Sequence, residues 1–380
     1  MKSAATLSLS VSRYEQKIKD VFAQAGIIIN GSNKYDIQVN DSRFYSKILA
    51  NGSVGLGESF VDGWWSCERL DEFFTKIIDA DLAKLANVDP GTKRVAFEAK
   101  FFNLQNIRKA INNASAHYNL GNDLFQAMLD KRMTYTCAFW QDASTLDEAQ
   151  EAKLDLVCRK LYLEPGMSVL DIGCGWGSFA KFAAEKYKVR VTAINVSSEQ
   201  VKLGSELCKD LPVEFKLQDY RLIEGKYDRI VSLGMFEHVG LKNYRTYFEV
   251  INSCLKPNGL ALLHTIGASV SSKYSDPWIS KYIFPNCLIP SLKQIAEAVE
   301  DLLVIEDVHN FGTDYDQTLM AWYHNFTSNW SRLQSNYSDR FYRMWCYYLL
   351  CCAGAFRARQ NQLWQIVLSK GIKNGYLSLR

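Results

Sequence analysis

From Pro165 onward, short apolar runs alternate with longer amphipathic ones. The apolar runs fall at 168–172, 189–194, 213–217, 227–233, 259–265 and 302–308, each of strand length and bounded by turn residues. Helical patterning fills most of the intervals, so the alternation predicts an α/β fold, a doubly wound parallel sheet covered on both faces. Over 243–255, Tyr244, Tyr247, Phe248, Ile251 and Leu255 recur at three- and four-residue steps and predict a helix facing that sheet. An aromatic-rich helical insertion is expected over 317–356, and Leu363–Leu368 reads as a late strand returning to the sheet edge.

The chain before this pattern is organised differently. Residues 11–85 read as helix, short strands and turns, then helix, with the glycine- and aromatic-rich stretch Gly52–Trp65 as a packed loop-and-helix unit. The pattern breaks at Asn87-Val88-Asp89-Pro90-Gly91, whose turn chemistry marks a domain boundary. The expectation is a small, mainly helical domain over 1–90, a connector over 91–112 and a larger domain over 113–380. In the connector, Lys93, Arg94, Lys100, Arg108 and Lys109 alternate with Val95, Phe97, Phe101, Phe102, Leu104 and Ile107. That is the pattern of a basic amphipathic helix, which lies on a membrane surface or serves as a solvated linker with one packed face.

Composition narrows the picture only a little. The 380 residues are 48% hydrophobic and 22% charged, as in ordinary globular proteins. Lys and Arg number 44 against 41 for Asp and Glu, so a broad nucleic-acid footprint is not expected. Ten cysteines lie scattered without a C-x-x-C pair, which reads as reduced thiols rather than a disulfide framework or a metal site. Residues 1–25 lack an apolar signal core, and no run approaches the ~18 apolar residues of a bilayer span, so a cytoplasmic protein is expected. Aromatics reach 13% of the chain, with nine tryptophans, and imply either a large aromatic core or a large apolar pocket.

The sharpest chemical signal is Val169-Leu170-Asp171-Ile172-Gly173-Cys174-Gly175-Trp176-Gly177, an apolar strand ending in an acid and running into a G-x-G-x-G turn. Alternate glycines let backbone approach a ligand closely, and the helix that follows offers free N–H groups. The dinucleotide fingerprint G-x-G-x-x-G, with an acid near the end of the next strand, is missing in that form. The details favour S-adenosylmethionine, with a simple tight loop as the alternative. Ligands of open α/β sheets sit at the carboxyl ends of the strands. There Asp171 and the turn Gly173, Cys174, Gly175, Trp176 and Gly177 would border the cofactor's amino-acid portion. Asn195, Ser197 and Gln200 would meet the ribose, and Asp219 with Tyr220 the adenine.

Further motifs lie in order along the chain: Gly55–Trp65, His117–Asp123, Tyr135–Trp140, Leu170–Gly177, Gly234–Gly240, Leu263–Gly267, His309–Asp316 and Cys352–Arg357. On these residues the chain resembles the bacterial cyclopropane-fatty-acyl-phospholipid synthases over nearly its whole length. The resemblance implies a class I S-adenosylmethionine-dependent methyltransferase, with a Rossmann-like doubly wound sheet and a small, mainly helical N-terminal domain that engages lipid. It implies methylene transfer from S-adenosylmethionine to the cis double bond of an unsaturated acyl chain in a phospholipid, at the inner face of the membrane, by a homodimer. Anionic lipid would be favoured. Tyr135 and Thr136 join the cofactor set on the same grounds.

In that family a bound bicarbonate ion is the base that removes a proton as the ring closes on a carbocation. The matching positions here are Cys137 and Ile266 through backbone groups and Glu237, His264 and Tyr315 through side chains. Read alone, His264 is equally a satisfied core histidine and Glu237 a carboxylate at a helix start. Cys352 matches a cysteine assigned to the family's active site. A thiolate beside a sulfonium would risk methylation, so packing near the acyl pocket is the preferred expectation. Departures from the family are Asn195 in place of a frequent threonine, Phe284-Pro285-Asn286-Cys287 in place of an F-P-G-G-like segment, and Thr136 where serine is usual. Two other classes stay open: a methyltransferase that adds a methyl branch or acts on a small amine, and a lipid-surface binding protein with a degenerate fold.

Overall fold

The computed structural model describes residues 14–82, 120–373 and 375–380. The expected domain boundary at 87–91, the basic connector over 91–112 and His117 to Asn119 lie outside these residues. Two units pack separately. One is drawn from Met1–Phe102, Tyr274–Pro285 and Leu319–Gln360, the other from Asn103–Lys273, Asn286–Thr318 and Asn361–Arg380.

In the first unit, helix α1 (residues 14–23) precedes a two-residue antiparallel pairing of β1 (Gln38–Val39) with β2 (Trp65–Ser66). Helices α2 (Arg43–Val61) and α3 (Leu70–Asp79) flank β2, and Trp65 is fully buried against the rings of Phe44, Phe60 and Phe73. Tryptophan suits that site because its indole nitrogen donates to the Leu56 carbonyl and Ser59 Oγ, both at 3.1 Å, while its rings fill the aromatic core. Asp71 is buried on α3. Burial would raise its carboxyl, but Arg69 and Arg357 outweigh it and hold it near 2.

The second unit is built on seven strands: β3 (Ser168–Ile172), β4 (Arg190–Asn195), β5 (Val213–Leu217), β6 (Tyr227–Leu233), β7 (Leu255–Ala268), β8 (Val304–Asn310) and β9 (Asn361–Ser369). Their order is β5-β4-β3-β6-β7-β9-β8. Neighbouring residues of one strand serve opposite layers. Val169, Val191, Leu260 and Leu262 pack with α5 (Leu146–Lys160) and α6 (Ser178–Tyr187). Leu170, Ile230, Ala261 and Leu263 pack with α8 (Tyr244–Cys254) and α10 (Leu292–Val299). Both faces are thus apolar, as strands buried on both sides require. The short helix α4 (Asn122–Met128) precedes α5, and α7 (Ser198–Leu207) connects β4 to β5.

Three expectations change. The sheet is mixed, because β9 runs antiparallel to both β7 and β8. Nor is β9 an edge strand: it lies between those two, and β8 forms the edge. Leu255 does not close the helix over 243–255; α8 ends at Cys254 and Leu255 opens β7, with its buried side chain kept in the same apolar layer. The helical insertion forms as α11 (Thr313–Ser328) and α12 (Asp339–Arg357), with the short α9 (Pro277–Tyr282) preceding it in the chain.

Candidate active site

The glycine turn leaves β3 at Ile172 with Gly173, Gly175 and Gly177 all at positive φ, +80°, +56° and +86°. Backbone N–H groups of Gly173 and Cys174 donate to the Ile194 carbonyl at 3.0 and 3.2 Å, which ties the turn to β4. A Cβ on Gly173 would strike the Met235 side chain at 2.6 Å, whereas one on Gly175 would enter open space. Cys174 sinks into the layer under α5 and α6. Trp176 donates to Asn122 Oδ1 at 2.9 Å and stacks at a tilt on Phe125, whose ring also meets Tyr135 edge-on. Both side chains of the turn are therefore structural, and its open face is backbone.

Asp171 is almost wholly buried, and its Oδ2 is among the described side-chain atoms with no hydrogen-bond partner. Burial pushes its carboxyl up to about 7 against the pull of the Lys153 ammonium. The residues after β4 are more occupied. Asn195 Oδ1 accepts from the Val196 and Ser197 amides at 2.7 and 3.2 Å, and its Nδ2 donates to Gln200 Oε1 and the Gly175 carbonyl. Ser197 caps α7 by accepting from the Gln200 amide. Asp219 accepts from Arg221 through both oxygens at 2.7 Å. These side chains already organise their own loops.

A second cluster lies at the ends of β6 and β7. Glu237 follows β6 in a short 3₁₀ turn, and its Oε1 accepts from the Ile266 amide at 2.7 Å. Its Oε2 is buried without a partner, and burial raises the carboxyl to about 7. His264 is buried on β7, with burial, assisted by the Lys153 and Lys160 cations, holding its imidazole well below the usual range. Gln365 Nε2 sits 3.4 Å from His264 Nδ1, and His264 Nε2 is buried without a partner. With the amide donating to Nδ1, the proton of the neutral ring rests on Nε2. Cys137, Phe139, Phe311 and Leu363 form a small buried cluster against which Ile266 and Tyr315 pack, and the Phe311 and His264 rings stand 5.9 Å apart. So Cys137, Glu237, His264, Ile266 and Tyr315 come together. Cys352 lies half-buried on α12, in the other unit.

Sequence reasoning missed the residues that hold this cluster in place. Thr318 of α11 accepts from the Ala138 amide at 3.1 Å and the Trp140 indole at 2.9 Å, and Asp314 accepts from the Trp140 amide at 2.7 Å. Lys153 of α5 is fully buried and donates to Thr136 Oγ1 at 2.6 Å. A signal was present: Gln150, Lys153 and Lys160 fall on the same stripe of α5 as Ala149, Leu156 and Val157, polar residues where periodicity demands apolar ones.

A mixed seven-stranded sheet of this order, with one reversed strand and a glycine turn after β3, is the fold of class I S-adenosylmethionine-dependent methyltransferases. Residues 105–366 match the mycolic acid cyclopropane synthetase family, and the chain belongs to it. It is 53% identical over 357 residues to the cyclopropane-fatty-acyl-phospholipid synthase of Escherichia coli strain K12, covering 94% of this chain and 93% of that one. Among solved structures, the cyclopropane synthase MmaA2 from Mycobacterium tuberculosis is 30% identical with a TM-score of 0.65, over 68% of this chain and 98% of that one. Mycolic acid cyclopropane synthase CmaA1, solved in complex with SAH and CTAB, is 31% identical at the same TM-score and coverage.

Proposed function

We propose that the protein transfers a methylene group from S-adenosylmethionine to the cis double bond of unsaturated acyl chains in membrane phospholipids, forming cyclopropane rings. It acts as a homodimer at the cytoplasmic face of the membrane and favours anionic lipid. The name and 53% identity of the Escherichia coli relative support the reaction class. The observation that carries the reading is the pair of buried atoms without a partner among the described residues, Glu237 Oε2 and His264 Nε2, linked through Ile266 and Phe311 to the cluster that holds Cys137 and Tyr315.

S-Adenosylmethionine supplies an electrophilic methyl group when bound, and bicarbonate accepts the proton lost on ring closure. The residues present suit both. Gly173 to Gly177 would lay an open backbone face against the donor, with the unpaired Asp171 Oδ2 as acceptor for its ammonium. Bicarbonate needs a donor for an oxyanion and an acceptor for a hydroxyl, and His264 Nε2–H with Glu237 Oε2 offers one of each. Asn195 and Asp219 would have to release existing contacts to serve the ribose and adenine.

The alkene attacks the methyl carbon, the C–S electron pair leaves with sulfur, and a carbocation remains on the acyl chain. The aromatic rings of Phe139, Phe311 and Tyr315, gathered in one cluster, would stabilise such a cation without capturing it. Glu237 Oε2 and His264 Nε2 would hold the bicarbonate, which would take the proton from the new methyl group as its C–H electrons close the ring. Dry, oriented placement of this kind can supply roughly 7–11 kcal/mol of a barrier.

The test is incubation of the purified protein with S-adenosylmethionine, bicarbonate and vesicles of unsaturated phospholipid. Acyl chains heavier by one CH₂ and lacking the alkene are expected in the mass spectrum. A methyl-branched product, or turnover of a soluble amine without vesicles, would overturn the reading.

A further inference from the structure

Lys153 is the least expected side chain near this site. A buried ammonium is costly, and an apolar residue of the same volume would usually be tolerated at less cost. Its surroundings show what it holds. Lys153 Nζ donates to Thr136 Oγ1 at 2.6 Å, and one turn earlier Gln150 Nε2 donates to the carbonyls of Thr136 at 2.8 Å and Thr134 at 3.3 Å. On the other side of Thr136 lies Gly234, the first residue after β6 on the way to Glu237. A Cβ there would come within 2.6 Å of Thr136 Cγ2. Helix α5 therefore grips the segment that leads into Cys137 by both backbone and side chain.

The charge of the ammonium is felt by four titratable groups, Asp130, Cys137, Asp171 of β3 and His264 of β7. Asp130 is itself buried and spends its oxygens on the Thr134 and Arg132 amides and the Thr134 hydroxyl. Asp171 belongs to the donor half of the site, Cys137 and His264 to the anion half.

We infer that Lys153 is a positioning residue, which sets the Tyr135-Thr136-Cys137 segment through Thr136 and provides the buried positive charge against which a small anion binds beside Cys137 and His264. The inference rests on the bicarbonate reading above. Its charge acts on the anion directly and on the acyl chain not at all, so its loss should appear in the anion dependence of turnover before anything else.

The experiment titrates sodium bicarbonate into bicarbonate-stripped reactions of the full chain, for the wild type and for Lys153→Met, with S-adenosylhomocysteine affinity measured by calorimetry alongside. Lys153→Met should raise the half-saturating bicarbonate concentration by about ten-fold or more, as for loss of a charge-assisted contact, while S-adenosylhomocysteine binding changes little. Thr136→Val should give a smaller rise and Thr136→Ser should reverse it, with the rises in the Lys153→Met/Thr136→Val double variant failing to multiply. An unchanged half-saturation in Lys153→Met that still binds S-adenosylhomocysteine overturns the inference, as does an equal loss of both affinities. Where Lys153→Met does not fold, the Thr136 pair decides, and equal half-saturation in Val and Ser variants overturns it. A wild type indifferent to bicarbonate defeats the bicarbonate reading itself, which is a separate result.

Discussion

Glu237 shows how one side chain carries both a cost and a function. Its carboxyl is buried, with one oxygen held by the Ile266 amide and the other unpaired. Replacing it with Gln preserves the shape and the acceptor toward Ile266 but removes the ability to exchange a proton. Turnover should fall around 10²-fold while S-adenosylhomocysteine binding stays near normal, measured by steady-state kinetics and calorimetry. Equal loss of cofactor affinity would move Glu237 to the donor half. The same substitution has a signature in stability. Because the folded-state carboxyl is raised to about 7 from an ordinary 4.5, the native state binds its proton more tightly. This contribution is fully present at low pH and is lost as pH rises through about 7. Glu237→Gln should therefore gain stability relative to the wild type, by about 2 kcal/mol, between pH 5 and pH 8 in denaturant titrations of the free protein. At this scale the sequence was a partial guide. The family resemblance pointed to Glu237, His264 and Ile266, and strand order put Glu237 and His264 after β6 and on β7, where the structure has them. The prior commitments of Asn195 and Asp219 were not legible, since hydrogen bonds within a loop depend on backbone geometry that composition does not encode.

Among the elements, the turn between β3 and α6 separates two reasons for glycine. Gly173 combines positive φ with a neighbour, Met235, that leaves no room for a Cβ, while Gly175 combines positive φ with open space on the ligand side. Gly173→Ala should lose both fold stability and S-adenosylhomocysteine binding. Gly175→Ala should cost about 1 kcal/mol of stability, the ordinary strain of a left-handed residue, yet weaken S-adenosylhomocysteine binding by a larger factor. Thermal unfolding and calorimetry on the two variants check this, and a Gly175→Ala protein with unimpaired binding would detach the turn from the cofactor. The strands themselves were readable because burial on both faces makes each a continuous apolar run. The reversal of β9 and its place inside the sheet rather than at the edge were not, because an apolar run carries no sign of direction and its pairing with β7 and β8 joins residues about sixty to a hundred positions apart in the chain. Helix α5 buries Gln150, Lys153 and Lys160, polar side chains whose inward placement composition alone does not announce.

At the scale of the whole molecule, the unit that includes residues 14–82 also takes in 274–285 and 319–360, so packing groups segments that the chain keeps far apart. The proposed substrate is an acyl chain inside a bilayer, and no helix among the described residues is long and apolar enough to cross one. What brings the enzyme to that chain is then a question of surface chemistry. The segment 91–112 carries five cations interleaved with Val95, Phe97, Phe101, Phe102, Leu104, Ile107 and Ile111, a composition that we propose suits the headgroup layer. Each basic residue near an anionic surface contributes about 1 kcal/mol. Replacing Lys100, Arg108 and Lys109 together with Ala should therefore remove about 3 kcal/mol, roughly a hundred-fold in partitioning onto vesicles rich in anionic lipid. Because the term is electrostatic, the deficit should shrink as ionic strength rises and the Debye length falls, and it should be slight on zwitterionic vesicles. Turnover on vesicles should drop in parallel with binding, whereas S-adenosylhomocysteine affinity in solution should not change, since the substitutions leave Asp171 and the glycine turn intact. Vesicle sedimentation across a salt series, with calorimetry on the same protein, measures all three. Binding to anionic vesicles equal to that of the wild type would reduce the segment to a linker and require another surface for the approach to lipid.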